Sequence, residues 1–289
     1  MGTGLIIPSY QNGFAPRDGL PMYSGLRKGL VGLWQASLGF AGAALYDQSG
    51  RGRDGVIENM TAAQAWVSTI HGPGLQFAED KSGLMVTGGV PDQAVGSFAC
   101  WYKRTASIAD YGGIFNVETP GNSSPHELVL GANNPGTGFW PNYDQTGGRY
   151  WRFWATAKAA GWNANFALNR WYHVAVTWDN NAQAIRGYLD GVLTGAEQGS
   201  GAWTASAWVN GENTYLGRTF IASMPLNCEG VVPGFALWDR AIAPHEVRTL
   251  YEDPHALVRP MPRTVWPSVV PYWIWSRQQQ AQVIGGGVL

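Results

Sequence analysis

The chain has 289 residues and a net charge of −1, and it is 45% hydrophobic but only 13% charged. That length holds one large β-sandwich with extensions, or two small domains. A charge near zero gives no electrostatic basis for binding nucleic acid or an anionic membrane, and no run of 18 apolar residues offers a membrane span.

Residues 1–27 read as an extended N-terminal arm. Pro8, Pro16 and Pro21, interleaved with Gly4, Gly13, Gly19 and Gly25, leave no sustained hydrophobic period. Apolar residues such as Leu5, Ile6, Ile7 and Phe14 imply that the arm lies against something. Met1 to Pro8 lacks the basic region and long apolar core of a secretory signal.

Residues 28–258 read as one sandwich of short strands. The first begins at Val31-Gly32-Leu33-Trp34, and Asp47 to Gly55 is a polar, glycine-rich loop. Strand-like runs follow at Leu75 to Phe77, Leu84 to Val86, Ser97 to Tyr102, Gly113 to Val117, Glu127 to Leu130 and Tyr150 to Trp154. The clearest pattern comes next. Asn169 to Asp179 alternates large apolar residues with small or polar ones, and so does Gly187 to Leu193, which turns at Asp190-Gly191. Asn213 to Arg218 and Gly234 to Trp238 complete the strands. Short strands without intervening helices predict an all-β, antiparallel, two-sheet sandwich. One helix is expected at Pro244 to Tyr251. Proline suits its first position, Glu246 suits its start, and Val247, Leu250 and Tyr251 share a face. Asp253-Pro254 ends it.

Residues 259–289 form a second arm. Its prolines forbid a central strand or a regular helix, while Trp266, Tyr272, Trp273 and Trp275 are costly to leave in water. These four aromatics are the expected assembly interface, docking on neighbouring subunits. Two cysteines, Cys100 and Cys228, do not make a disulfide framework, and the sequence leaves open whether they pair.

The hairpin, W-x-H-V-A-x-T-W-D followed by Y-x-D-G-x-L, resembles the central hairpin of laminin-G-like domains of the concanavalin A-like jellyroll class. Three further segments share the resemblance, in the family's order. Gly32-Leu33-Trp34 with Asp47 to Gly55 is similar to the family's D-x-S-G-x-G-x-x-G loop. Phe98 to Lys103 resembles its F-T-x-x-x-W-x-K strand. Leu237 to Ile242, with Glu246-Val247 and Leu250-Tyr251, resembles its closing segment. The resemblance implies a jellyroll sandwich from about Gly29 to Pro254. It leaves function open, because that scaffold serves lectins, glucanases, adhesion modules and virus particles alike.

Three kinds of site follow. The resemblance implies a calcium ion at the sandwich edge, with Asp47 and Asp54 as its ligands here. The acidic residues that the family often places before the last strand are replaced by Gly230 to Phe235, so tying the loop by side chain-to-backbone bonds is the competing role for Asp47. Trp140, Tyr143, Trp162 and Asn163 pair rings with amides in loop contexts, as sugar stacking requires, against the competing role of filling the core. No catalytic residue is assigned. Hydrolysis on this fold needs a closely spaced pair of carboxylates, and Glu58, Glu79, Asp80, Glu118 and Glu127 are scattered. His173 alternates within a strand and is expected to be packed and hydrogen-bonded rather than catalytic.

The ending L-Y-x-x-P-x-x-L-x-x-P, Leu250 to Pro260, resembles domain endings in particle proteins of tailed phages and prophages. It points to a virion structural protein, a capsid decoration or tail-associated component made in the host cytoplasm. Its partners would be other virion proteins or copies of itself, with host-surface glycan as a further ligand. The alternative is a non-catalytic carbohydrate-binding or adhesion module in an extracellular or cell-surface setting. No cofactor other than calcium is expected.

Overall fold

Proline, glycine and alternating apolar residues divide the chain into many short strands. The computed structural model describes residues 24–78, 82–86, 95–106, 111–117, 127–131, 150–155, 158–163, 167–179, 182, 184–196, 213–218 and 228–258. In chain order the strands are Leu30–Gln35 (β1), Phe40–Ala41 (β2), Ala44–Leu45 (β3), Gly55–Glu58 (β4), Trp66–Thr69 (β5) and Gly72–Phe77 (β6). Next come Gly83–Val86 (β7), Val95–Arg104 (β8), Tyr111–Val117 (β9), Glu127–Gly131 (β10), Tyr150–Ala155 (β11) and Lys158–Asn163 (β12). The last six are Trp171–Asp179 (β13), Ala184–Leu189 (β14), Val192–Ala196 (β15), Thr214–Leu216 (β16), Gly230–Val232 (β17) and Gly234–Trp238 (β18). Helices are brief: Ser24–Arg27 (α1), Ala62–Ala65 (α2) and Pro244–Glu252 (α3), with a 3-10 turn at Ala36–Leu38.

All the strand pairs described are antiparallel, and they form two sheets. The second sheet runs β12-β11-β10-β9-β16-β7-β4-β3-β2. The first runs β15-β14-β13-β8 and then forks. One end of β8 pairs with β17, which continues to β6 and β5, and the other end pairs with β18, which continues to β1. The fork lies at Pro233, a residue without an N–H to donate, between β17 and β18.

The two sheets close on a shared core. Phe77, Phe98, Tyr102, Val174, Val176, Trp178 and Phe235 from the first sheet meet Leu45, Leu84, Val86, Ile114, Phe115 and Leu216 from the second. Cys100 and Cys228 are buried in this core as free thiols. The first sheet is covered on its outer face as well. There Ala99 lies in register between Ala175 and Ala236, and this row of small side chains belongs to a cluster with Val247 and Leu250 of α3 and Leu257 beyond it. Burial on both faces explains why β13 is buried from Tyr172 to Trp178 instead of alternating.

The expected helix is present and ends one residue later, at Glu252. Glu246 accepts from the backbone N–H of Ala243, and both its oxygens accept from Arg240 at 2.6–2.7 Å. Arg240 also donates to the carbonyls of Gly25 and Lys28. Residues 24–27, which the sequence places in the arm, therefore belong to the folded body. Trp238 donates its indole N–H to the carbonyl of Leu26 at 2.7 Å. Asp190 and Gly191 turn with φ of 50° and 77°, the geometry that an Asp-Gly hairpin favours. A Cβ on Gly191 would meet Tyr251 of α3 at 3.0 Å.

Candidate functional site

The loop after β3 gathers its polar groups around Asp47. Oδ1 accepts from the backbone N–H groups of Leu33 (3.0 Å) and Ser49 (2.8 Å). Oδ2 accepts from the Ser49 hydroxyl (2.8 Å) and the Arg53 N–H (3.1 Å). Asp54 accepts from the N–H of Asp47 at 2.9 Å. Gln48 reinforces the join, since its side chain accepts from Gln35 N–H while its own N–H donates to Leu33. Four donors thus occupy the carboxylate that a calcium ion would need. This is the bonding of a loop tie. Among the described residues, no group of three or more His, Cys, Asp and Glu is placed to hold a metal ion.

A second polar cluster sits on the outer face of the first sheet, beside α3. The pleat of β8 sends Trp101 and Lys103 to that face, and the pleat of β13 sends Trp171 and His173 there. Register makes them neighbours, pairing Trp101 with His173 and Lys103 with Trp171. The β5–β6 turn adds His71. Thr69 holds that turn by donating to the Gly72 carbonyl and accepting from the His71 N–H. The His71 ring lies 4.5 Å from Trp101 and edge-on to Trp171 at 5.0 Å. Tyr251 of α3 stacks on Trp101 at 5.7 Å, and the Lys103 ammonium lies 5.2 Å from the Trp171 ring. His173 contacts the edge of Trp101 at 5.5 Å.

Three buried nitrogens in this cluster have no hydrogen-bond partner among the described residues: His71 Nε2, Trp101 Nε1 and His173 Nδ1. His71, Trp101 and His173 all line one cavity of about 40 Å³ at the sheet fork. Gln35, Pro233 and Gly234 line it where the strands separate, and Leu250, Pro254 and Leu257 line it from the C-terminal side. Gly234 suits that position, because a Cβ would stand 2.9 Å from the backbone carbonyl oxygen of Trp34 and would press on the Gln35 side chain as well. Burial holds His173 down to a pKa of about 3, so its ring is neutral at physiological pH. Burial also lowers His71, and the nearby His255 lowers it further.

His173 is packed as the sequence predicts, yet Nδ1 is unsatisfied, so the expected hydrogen bonding is incomplete. Trp140 and Tyr143 lie outside the described residues, as do Trp266, Tyr272, Trp273 and Trp275. Trp162 and Asn163 lie in β12, where their backbones pair with Trp151 and Tyr150. Sequence reasoning did not assemble His71, Trp101, Trp171, His173 and Tyr251. Period 2 within β8 and β13 already placed Trp101 with Lys103 and Trp171 with His173. The missing step was to align the two strands and count which residues face away from Tyr102 and Val174.

Comparison with known proteins places this geometry in context. A sequence model described as the concanavalin A-like lectin/glucanases superfamily, laminin-G type, matches residues 81–248. Domain 4 of AbnA, an extracellular arabinanase from Geobacillus stearothermophilus solved with arabinotriose, is similar with a TM-score of 0.55 and 17% identity, over 77% of this chain and 98% of that one. A Trypanosoma rangeli sialidase solved with 2,3-difluorosialic acid is similar with a TM-score of 0.53 and 18% identity, over 78% of this chain. The chain spans about a third of the sialidase's length, 32%. At these identities the likeness is one of fold. No curated protein sequence matches the chain.

Proposed function

We propose, because the chain belongs to the concanavalin A-like lectin/glucanase superfamily, that it is a recognition domain that binds carbohydrate and does not hydrolyse it. The observation that carries this reading is the aromatic and histidine cluster beside α3. Indole, phenol and imidazole rings adjoin three nitrogens that have no partner among the described residues, and stacking planes with a few placed polar groups are what sugar recognition uses. The absence of a closely spaced acidic motif in the sequence supports binding over catalysis. The test is a glycan array probed with the full-length chain, followed by incubation of every bound glycan with the protein. Selective binding with the glycan recovered intact is the expected result. Release of shorter sugars would make the domain an enzyme.

A second reading rests on a different observation. The ending Leu250 to Pro260, with its resemblance to tailed-phage and prophage particle proteins, leads into a segment with Trp266, Tyr272, Trp273 and Trp275. Residues up to Val258 pack on the first sheet. On this reading the protein is a virion structural component whose arms dock on neighbouring subunits, and its sandwich is free to meet host glycan. Solution mass tests it. The full-length chain assembles, and a chain ending at Val258 is a monomer. Two monomers would remove the assembly role.

A further inference from the structure

We propose that the cavity at the fork of the first sheet is a subsite for the hydroxymethyl arm of a sugar, with the sugar ring held outside it against Tyr251. The inference rests on the carbohydrate-binding reading and names the atoms that would do the binding.

Unsatisfied buried polar atoms are scarce in native proteins, and each calls for a partner. Here the three residues that carry them, His71, Trp101 and His173, line one space. His71 and His173 are only 9% and 2% exposed, so bulk water does not serve them. The indole N–H of Trp101 can only donate, while a neutral imidazole nitrogen donates or accepts according to its tautomer. A hydroxyl has one proton to give and two lone pairs, so a single hydroxyl can bond a donor and an acceptor together. Ionic ligands fit poorly. Among the described residues, no Asp, Glu, Lys or Arg lines the cavity, and both histidines are held neutral by burial.

The rest of the wall selects the group that carries the hydroxyl. Leu33, Ala99, Leu250 and Leu257 face the same space and suit a methylene. A volume of about 40 Å³ exceeds the roughly 10–15 Å³ that one water needs, and it is far too small for a sugar ring. Two heavy atoms, one carbon and one oxygen, match both the size and the two-sided chemistry. Tyr251, 37% exposed and stacked on the cavity-lining Trp101, is the aromatic residue beside the site that the ring remaining outside would meet.

The test follows the Trp101 indole N–H by 15N–1H NMR on the full chain, assigned with Trp101→Phe. The probes are the methyl glycosides of galactose, glucose and mannose and their 6-deoxy counterparts. At least one hydroxymethyl sugar is expected to move the Trp101 signal saturably. Its 6-deoxy counterpart should bind about tenfold more weakly or worse, because a site built for a hydroxyl rejects the analogue that lacks it. His71→Phe, which keeps an aromatic ring in the β5–β6 turn, should weaken the same sugar at least tenfold, on the same principle, while leaving the unfolding midpoint near that of the wild type. If the array shows glycan binding but Trp101 is silent and His71→Phe binds normally, the subsite is refuted and the carbohydrate reading stands. If no glycan binds in either experiment, both fall. A Trp101 N–H in contact with a long-lived water that no sugar displaces would mean a resident water only, and would overturn the proposal.

Discussion

Two polar clusters lie at opposite ends of the same logic. Around Asp47 every carboxylate lone pair that geometry offers is taken by a donor of the loop or of β1. Beside α3, three buried nitrogens on converging aromatic residues have no partner among the described residues. The sequence gives Asp47 the stronger resemblance to a ligand site, yet its bonding is that of structure. The histidine and tryptophan cluster, built from residues far apart in the chain, is the one left with capacity to bind. A polar group with all its bonds made holds the fold together, and one with bonds to spare is where a ligand gains most.

The largest effect that sharpens this contrast is acid sensitivity. Folded His173 has a pKa of about 3, whereas an unperturbed imidazole titrates near 6.5. As pH falls, the unfolded chain takes up the proton first. The stability tied to neutral His173 is complete above about pH 6.5 and is lost progressively toward pH 3, to a total of about 5 kcal/mol. Urea midpoints measured from pH 7 to pH 4 should fall for the wild type, and His173→Phe should flatten that limb. Equal slopes would show that the ring is not held neutral by the fold.

Next comes the closed cluster. Asp47→Ala strands four donors and should cost about 3 kcal/mol by urea unfolding. A loss well under about 1 kcal/mol, the scale of a single hydrogen bond, would mean that water replaces the carboxylate and that the loop is not tied as described. His71→Phe is expected to cost less than about 1 kcal/mol, since it removes an unsatisfied nitrogen and keeps an aromatic ring against Trp101. The smallest expected effect is calcium. Millimolar calcium should leave the unfolding midpoint of the wild type unchanged. A clear rise would show that the ion displaces the loop donors from Asp47.

Much of the fold was legible where physics is local. Period 2 marked β13, a strand-like run marked β8, Asp190-Gly191 marked the turn between β14 and β15, and Pro244 with Glu246 marked the start of α3. Elements that depend on tertiary partners were not legible. β2 and β3 are two residues long and carry no period of their own. β17 is set apart from β18 only by Pro233, and one apolar run hides the fork. The candidate site was least visible of all, because it needs His71 from a turn, Trp101 from one strand, His173 from another and Tyr251 from a helix. The facing of Trp101 and His173 was readable from their strands, but not the meeting of all four.

The most direct test is a calorimetric titration of the best array glycan into the full chain beside His71→Phe and Asp47→Asn. The account predicts that Asp47→Asn binds as the wild type does and that His71→Phe loses affinity at least tenfold, as expected for a hydroxyl-binding site stripped of its partner. Binding lost in Asp47→Asn and kept in His71→Phe would contradict it, and would return the site to the loop.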